Sequence, residues 1–548
     1  MKKRIVAMIL TVVMAFTLLA GCGKSDKNAN NKADSEGLGR KGAMENFTAG
    51  TTFKATEPMK FTMINRDHPS YPINRDWRFW EDLEGITNVT FDMTDVPNAE
   101  YQQMFNLLMG SNEAPEILPR VNYAWGQAFV ASGALLNIGE YLDYMPHFQQ
   151  KIKDWELEDE LDTYRDLNGN LYFLPGLYEK VWHNHGLLIR TDILDELNLE
   201  MPDTWDEMYE VLKAMKEAYP DSWPFSDSNT LNGTLNHAAV AFGVQAGWGL
   251  NNGVIYDWDK EEFKFAPVSD EMREFLTFFN KLYEEGLMDP ESLTQNNDLA
   301  NQKFVNGQSF MMTGNAVLRD DFRRQMNEVL GEENYSIGRA MIPGGPAGNV
   351  VRGLRVNNNG IMFPARIAKQ DNFITILQFV DWLFYSDEGN EFTRWGIEGD
   401  TFAWDNETGR RTFLEPYSFM GIGTGEKDIR LEAGYGNGLF DVGQSAEQNF
   451  SWMDEEEVAY QEAMNARREV VKADPTAPLT DSEVEQIALI NNSVKDAVST
   501  AIMEFISGRR PLTDSEWEAY KAQMQGLNYQ QIVDTMNNAR ARYLENNK

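Results

Sequence analysis

A chain of 548 residues with 85 acidic and 49 basic side chains has a formal net charge of −36, which argues against nucleic acid as a partner because the surface repels phosphate. Its length suits two lobes rather than one core, and 42% apolar residues can fill both. One cysteine is present, which excludes disulfides and cysteine nucleophiles from the folded body.

The N-terminal segment has the pattern of a bacterial export signal. Residues 2–4 are basic, and the apolar run at residues 5–20 is too short and wrongly flanked for a spanning helix of the mature protein. Two small residues and then Cys22 follow the run, and a thiol at this position can accept a thioether-linked diacylglycerol. We predict a lipoprotein signal peptide at residues 1–21 and lipidation of Cys22; the alternative is an ordinary secretory signal.

Residues 22–50 are polar and rich in glycine, with almost no large apolar side chain before Phe47. Such a composition cannot build a core, and we expect a flexible tether over residues 22–50.

Strand and helix patterns then alternate. Strands are predicted at residues 61–64, 89–93 and 116–118, and helices at residues 77–83 and 99–109. The β-α-β-α-β order predicts a mostly parallel α/β sheet.

The alternation begins again after residue 186. A buried strand is predicted at residues 187–189, and the capping box Thr204–Glu207 starts a helix. A strongly buried helix is predicted at residues 373–384, and the chain from residue 481 onward is almost wholly helical in pattern.

No catalytic constellation is visible. The 85 carboxylates do not single out a pair for glycoside hydrolysis, so a hydrolase is neither supported nor excluded. His183 and His185 lack a third ligand at metal spacing. Asp166 opens a segment that resembles a calcium loop, but Leu171 and Leu177 occupy the positions of its glycine and glutamate, which favours a plain turn. We predict no catalytic residue, no metal site and no cofactor, with calcium near Asp166 as the open alternative.

Four turns place a large aromatic ring beside glycine or amide residues, at residues 123–125, 182–184, 247–249 and 394–396. A carbohydrate site needs flat rings that stack on the C–H face of a sugar and planar polar groups that bind its hydroxyls. Each tryptophan can equally be a core residue.

Several segments carry a family resemblance through their order along the chain. They are Leu19–Cys22, which resembles a lipobox, Gly110–Ile117, Asn168–Pro175, Leu188–Asp192, Pro202–Glu207, Glu284–Pro290, Phe304–Met311, Ser386–Gly399 and Glu504–Pro511. Together they resemble the extracellular solute-binding lipoproteins of bacterial carbohydrate ABC transporters, in particular a subgroup of about this length. Arg190 and Asn168 depart from the usual asparagine and aspartate, which leaves the ligand preference open.

The resemblance implies an α/β fold of the two-lobed periplasmic-binding-protein type (type II) with a helical C-terminal region. Segments that cross between the lobes are expected near residues 182–186, near residues 350–353 and near Gly399. The expected boundaries are residues 51–185 plus 352–400 for lobe one and residues 186–351 plus 401–548 for lobe two.

The resemblance also implies a function. A monomer anchored by lipid to the extracellular face of the cell membrane would capture an oligosaccharide between its lobes and deliver it to ABC transporter permease subunits, without covalent chemistry. The alternatives are a lipid-anchored glycoside hydrolase or lyase and a binding protein for a peptide or another non-sugar solute. The expected ligand-binding residues are Asn65, Arg66, Trp125, Trp182, Asn184, Trp248, Asn315 and Trp395.

Overall fold

The computed structural model describes residues 37–68, 72–353 and 355–546, so the predicted signal peptide, Cys22 and the first part of the predicted tether lie outside the described residues. The strands are β1 (Met59–Asp67), β2 (Val89–Pro97), β3 (Leu118–Asn122), β4 (Leu174–Leu177), β5 (Gly186–Arg190), β6 (Trp223–Phe225), β7 (Val254–Asp257), β8 (Glu262–Phe265), β9 (Ser309–Gly314), β10 (Ile337–Ala340), β11 (Val350–Val351), β12 (Val356–Met362), β13 (Phe402–Asp405), β14 (Arg410–Phe413), β15 (Tyr417–Ser418), β16 (Lys427–Asp428) and β17 (Glu469–Val470).

The α-helices are α1 (Arg78–Thr87), α2 (Tyr101–Ser111), α3 (Tyr123–Val130), α4 (Pro146–Asp154), α5 (Glu158–Asp162), α6 (Thr191–Glu196), α7 (Trp205–Ala218), α8 (Asn232–Ala241), α9 (Asp270–Glu284), α10 (Asn297–Val305), α11 (Ala316–Val329), α12 (Phe373–Tyr385), α13 (Asp387–Trp395), α14 (Ile429–Glu432), α15 (Ala446–Ser451), α16 (Glu455–Arg467), α17 (Asp481–Ile506), α18 (Asp514–Gly526) and α19 (Tyr529–Asn546). Short 3-10 helices lie at Asn98–Glu100, Ile138–Tyr144, Asn229–Leu231, Gly247–Gly249, Ala266–Val268, Pro290–Leu293, Glu332–Asn334 and Ala365–Lys369.

Lobe one forms around α12, a helix in which every residue is buried. A helix that is apolar on all sides is stable only inside a core, and here it packs under the parallel pair β1–β2. The sheet of β3, β12 and β4 completes the lobe, with β12 antiparallel to both neighbours. The predicted parallel pairing is therefore confirmed for β1 and β2, and Ile117 also forms a parallel bridge with Met63 of β1. The rest of the third strand, β3, pairs instead with a strand that returns from the other lobe.

Lobe two has a four-stranded sheet in the order β10-β5-β9-β6. The predicted capping box is present, because Thr204 accepts from the Glu207 N–H and Glu207 accepts from the Thr204 N–H, and it starts α7. The C-terminal helices α17, α18 and α19 pack on this lobe through Phe505, Trp517 and Ile532. The predicted α/β class and the helical C-terminal region are confirmed.

The predicted tether is wrong in its last residues. The Lys41 N–H donates to the Asp371 carbonyl at 2.7 Å, and the Ile374 N–H donates to the Gly39 carbonyl at 2.9 Å. The Phe47 ring lies 5.3 Å from the ring of His147. Residues 39–50 are thus part of lobe one, because these backbone bonds and one apolar ring hold them at the start of α12.

The predicted boundary at residue 401 is also wrong. Phe402, Phe413, Tyr435, Phe440 and Trp452 all belong to the core of lobe one. Phe440 stacks on Phe79 of α1, and Phe413 stacks on Trp395 of α13. Residues 401–453 therefore stay in lobe one, and the chain crosses back through α16 and β17, not near Gly399.

Within the described residues the chain passes between the two cores at residues 178–185, 341–353 and 454–470, which we call the crossing segments. The segments touch at Gly353, where a Cβ would lie 2.5 Å from Val181 Cγ1 and 3.0 Å from Val470 Cγ2. The strands β11 and β17 pair in parallel, and the crossings share a small core of Ile342, Val351, Tyr460 and Met464.

Candidate functional site

A cavity of about 540 Å³ lies between the two lobes, beside the crossing segments. Its volume is within the range of about 300–1,000 Å³ that is typical of small-molecule sites. It is lined by His68, Trp182, Asn184, Asn315, Val317, Leu318, Asp321, Thr393, Arg394, Phe419, Met420, Arg430, Gly436, Asn437, Gly438, Phe440, Asp441 and Trp452. We call this space the cleft.

Two amide side chains line the cleft, Asn315 of lobe two at the start of α11 and Asn184 of the first crossing segment. Asn315 caps the helix, because its Oδ1 accepts from the Leu318 N–H at 3.0 Å. Its Nδ2 lies 3.4 Å from Asn184 Oδ1 in the first crossing segment. The backbone of Asn184 is fixed in turn, since its carbonyl accepts from Arg339 Nη2 at 2.8 Å. Two planar polar groups are thus held at the cleft by the scaffold.

Aromatic rings form much of the opposite wall. The rings of Phe419 and Trp452 lie 5.4 Å apart, and the guanidinium of Arg430 lies 3.9 Å from the centre of the Phe419 ring. Trp182 is half-buried and its ring lies 6.4 Å from that of Tyr178. Rings together with planar cations suit a ligand that has both apolar faces and polar edges.

Two arginines of the cleft already have carboxylate partners. Arg430 binds Asp428 through two bonds, Nη2 to Oδ2 at 2.6 Å and Nε to Oδ1 at 3.1 Å. Arg394 forms an ion pair with Asp441. These pairs keep the arginines oriented and leave little excess charge in the cleft itself.

A second, smaller cavity of about 220 Å³ opens beside the cleft, and we call it the side cavity. It shares His68, Asn437 and Gly438 with the cleft. The rest of its wall is formed by Arg66, Ile73, Asn98, Arg120 and Leu439. Burial, together with the positive charges of Arg66 and Arg430, lowers the pKa of His68, so its imidazole is neutral near pH 7.

The side cavity lies at the carboxyl ends of strands. Arg66 is near the end of β1, and Asn98 follows β2; the Arg66 Nε–H donates to Asn98 Oδ1. Ligands of open α/β sheets bind at this edge. Arg120 lies in β3 with a φ of +57°, a left-handed conformation that is strained for any residue other than glycine.

The loop after α14 lines both cavities. The Arg120 Nη1 donates to the carbonyls of Gly438 at 2.6 Å and Asp441 at 2.8 Å. Gly438 has a φ of +80°, which a residue with a side chain rarely adopts, and the following turn is closed by a bond from the Leu439 N–H to Asn437 Oδ1 at 2.8 Å.

Four of the eight expected binding residues lie in these cavities. Trp182, Asn184 and Asn315 line the cleft, and Arg66 lines the side cavity. Trp248 is outside both, but its exposed ring lies 5.4 Å from His185, the neighbour of Asn184.

The other three expected residues are not in the cavities. Asn65 is fully buried and donates to Asp95 Oδ1 at 3.0 Å, because successive side chains of a strand point to opposite faces and only Arg66 faces the site. Trp125 packs against Tyr101 and Phe105. Trp395 is 0% exposed on the inner face of α13, so its assignment to the ligand is wrong.

Sequence reasoning missed several lining residues, most of them in the segment that it gave to lobe two. They are His68, Arg120, Phe419, Arg430, Asn437, Asp441 and Trp452. The alternating Gly434, Gly436 and Gly438 next to aromatic residues is the sequence signal that marks this loop.

Neither a metal cluster nor a membrane-spanning helix is found in the part of the chain that the structure describes. Within residues 37–68, 72–353 and 355–546, no three histidine, cysteine or acidic residues are grouped to hold a metal ion. Asp166 instead closes a turn, where its Oδ1 accepts from the N–H groups of Asn168 at 2.8 Å and Asn170 at 2.9 Å. No helix among those residues is apolar over a length that would cross a bilayer.

Comparison with known proteins gives one family match. Residues 78–390 match the family described as bacterial extracellular solute-binding protein. The polygalacturonan/rhamnogalacturonan-binding protein YtcQ of Bacillus subtilis is 27% identical over 43% of this chain and 46% of its own length. The fructooligosaccharide ABC transporter substrate-binding protein FusA of Streptococcus pneumoniae is 25% identical over 52% of each chain. The chain thus spans about half the length of these curated relatives.

Solved structures share the fold over nearly the whole chain. The crystal structure of alginate-binding protein AlgQ2 without calcium ion aligns with a TM-score of 0.66 at 19% identity, and it covers 89% of this chain and 99% of its own. At this identity the likeness shows the fold alone.

Proposed function

The chain belongs to the family of bacterial extracellular solute-binding proteins, and from that membership we propose that it captures an oligosaccharide in the cleft and delivers it to an ABC transporter permease. The names of two relatives, one polygalacturonan-binding and one fructooligosaccharide-binding, support a saccharide as the ligand. The proposal includes no covalent step.

One observation carries the proposal. The cleft combines an amide from lobe two and an amide from the first crossing segment with aromatic rings and planar cations from lobe one, beside the crossing segments. A sugar needs both kinds of group, because its ring has an apolar face and a rim of hydroxyls. A ligand that touches both walls binds the closed arrangement of the lobes better than the open one, and so shifts the lobes toward closure.

Binding is tested by isothermal titration calorimetry of the folded protein against three ligand groups: neutral oligosaccharides, oligogalacturonides and tripeptides. We expect saturable, one-to-one binding of a saccharide and no heat from the tripeptides. Chromatography of the recovered saccharide should show unchanged chain length. Binding of tripeptides alone would favour the non-sugar alternative, and shortened saccharide would favour the hydrolase or lyase.

Asn315 offers a sharp test of the cleft. Asn315→Asp keeps an oxygen that caps α11 but removes the amide donor, so we expect an unchanged melting temperature and an affinity about 3- to 10-fold lower, the value of one hydrogen bond. Asn296→Asp is the matched control, because Asn296 caps α10 in the same way and lies outside the cleft. Equal affinities for the two variants would argue against the cleft as the binding site.

We further propose attachment to the outer face of the cell membrane through a lipid on Cys22, which would keep the receptor near its permease. The support is the sequence that precedes Cys22. A Cys22→Ala variant should bind saccharide normally and be lost from the membrane fraction of cells. Retention of the variant in that fraction would contradict the lipid anchor.

A further inference from the structure

We propose that the side cavity binds the carboxylate of a uronic acid residue, so that the captured oligosaccharide is acidic. This inference rests on the proposed function of the cleft. It names the chemical class of the saccharide and the residues that select it.

The wall of the side cavity is positively charged. It includes Arg66, Arg120, His68 and two asparagines, and no carboxylate is among the lining residues that the structure describes. The chain as a whole carries a formal charge of −36. Arg66 and Arg120 are partly buried, and their charge is opposite in sign to that of the whole molecule, so this small cavity attracts an anion.

Arg120 is held in place by backbone carbonyls. Its Nη1 is used by two carbonyls of the loop at 2.6 and 2.8 Å, which are neutral acceptors. Among the described residues no carboxylate forms an ion pair with Arg120, whereas Arg394 and Arg430 in the cleft each have one. The positive charge of Arg120 is thus oriented but not neutralised within the described part of the protein.

The backbone of Arg120 is strained. Arg120 has a left-handed φ of +57° inside a strand, and residues held in this way concentrate at functional sites. An extended backbone at this position would continue β3 without strain. We therefore infer that the left-handed conformation serves to direct the guanidinium of Arg120. Two arginines that are fixed by neighbours form the planar donors that a carboxylate prefers.

The side cavity is small and adjoins the cleft. The side cavity holds about 220 Å³ and the cleft about 540 Å³, and they share three lining residues. One sugar residue or its substituent fits the smaller space while the rest of the chain lies in the larger one. Neutral His68 at the junction adds a hydrogen-bonding group without changing the charge.

The ligand side of the test uses the unaltered protein. Calorimetry compares trigalacturonic acid with its fully methyl-esterified form, which keeps the size and removes the charge. We expect the acid to bind at least 10-fold more tightly, and the difference to shrink as salt is added. Equal affinity for acid and ester overturns the inference but leaves the proposed function in place. Absence of binding by acid, ester and neutral saccharides overturns both.

The protein side uses Arg120→Gln, with Arg273→Gln as control. Arg273 pairs with exposed Asp514 on lobe two and lies outside both cavities. We expect Arg120→Gln to bind the acid about 10- to 100-fold more weakly and the ester almost unchanged, so that discrimination is lost. Arg273→Gln should still discriminate between the acid and the ester. If Arg120→Gln does not fold, Arg66→Gln provides the same comparison. A folded variant of Arg120 or Arg66 that still discriminates fully would show that the substituted arginine does not bind the carboxylate.

Discussion

Three histidines near the crossing segments are kept neutral by burial. Burial lowers the pKa of His183, of His185 and of His237, and the neighbouring positive charges act in the same direction. The effect is largest for His237, whose pKa falls from 6.5 to about 3. A histidine that stays neutral in the folded state but takes up a proton when unfolded makes the protein less stable in acid.

The pH dependence of stability follows from this sign. Above pH 6.5 the imidazole of His237 is neutral in both the folded and the unfolded state. As the pH falls from 6.5 toward 3, only the unfolded chain takes up the proton, which lowers the free energy of unfolding by about 2 kcal/mol at pH 5. His237→Leu removes the titration, so its melting temperature should fall less than that of the parent between pH 7.5 and pH 5. Parallel melting curves of parent and variant across this range would contradict the assignment.

Two tryptophans test the distinction between cleft and core. Trp182→Ala should lower saccharide affinity by about tenfold and leave the melting temperature of the ligand-free protein nearly unchanged. Trp395→Ala should cost about 3–5 kcal/mol of stability, because the ring is fully buried 4.7 Å from Phe413. Calorimetry measures the affinity of both variants, and thermal melts measure their stability. A loss of stability for Trp182→Ala and a loss of affinity for Trp395→Ala would place Trp182 in the core and Trp395 at the ligand.

Single residues were predictable where a clear local pattern marks their position. Arg66 could be placed because a plain strand precedes it, and Trp182 and Asn184 could be placed because they form an aromatic turn shortly before the predicted strand at residues 187–189. Asn65 was expected at the site but points into the core, because neighbouring side chains of a strand lie on opposite faces. Arg120 could not be found, since its position depends on a left-handed backbone and on carbonyls more than 300 residues away in the chain.

At the scale of elements, α16 ties the crossing segments to lobe two. The Arg339 Nη1 donates to Glu457 Oε2 at 2.6 Å, and both side chains are almost fully buried. The same guanidinium donates to the carbonyls of His183 and Asn184. One arginine of β10 thereby connects the first crossing segment to the helix that forms the third.

The Arg339–Glu457 pair should be important for stability. Glu457→Gln leaves a buried guanidinium without its counter-charge, and we expect a loss of about 3–5 kcal/mol in the free energy of unfolding. Glu456→Gln is the control, because Glu456 is more than a third exposed and its pairs should contribute about 1 kcal/mol or less. Chemical denaturation of both variants measures the difference, and similar midpoints would show that the buried pair is not needed.

Elements with strong local patterns were predicted well. The apolar run of α12, the capping box of α7 and the C-terminal helices all appear where expected. The segment 401–453 was assigned to the wrong lobe, because its strands and helices are short and only its contacts with α1 and α13 show where it belongs.

At the scale of the molecule, two lobes with separate cores are connected, in the described part of the chain, through the three crossing segments. Such a connection allows the lobes to rotate as rigid bodies, whereas each core stays packed. A ligand that contacts both walls of the cleft is what stabilises the closed arrangement.

Closure is measurable by small-angle X-ray scattering. We expect the radius of gyration of the protein to decrease when the saccharide identified by calorimetry is added to saturation. Arg339→Lys, which weakens the bidentate contact between the crossings, should bind saccharide but alter the size of this change. A constant radius of gyration despite calorimetric binding would indicate that the cleft is preformed and does not close.

The size of the residue at position 353 can influence the arrangement of the two lobes, because Gly353 lies where the crossing segments touch. Because Val181 and Val470 leave no room for a side chain there, any larger residue would wedge the crossings and bias the lobes toward one arrangement. The apparent dissociation constant equals the intrinsic constant divided by the fraction of competent molecules. A substitution at this point could therefore change the ligand concentration at which the protein is half saturated, while every residue that lines the cleft stays the same.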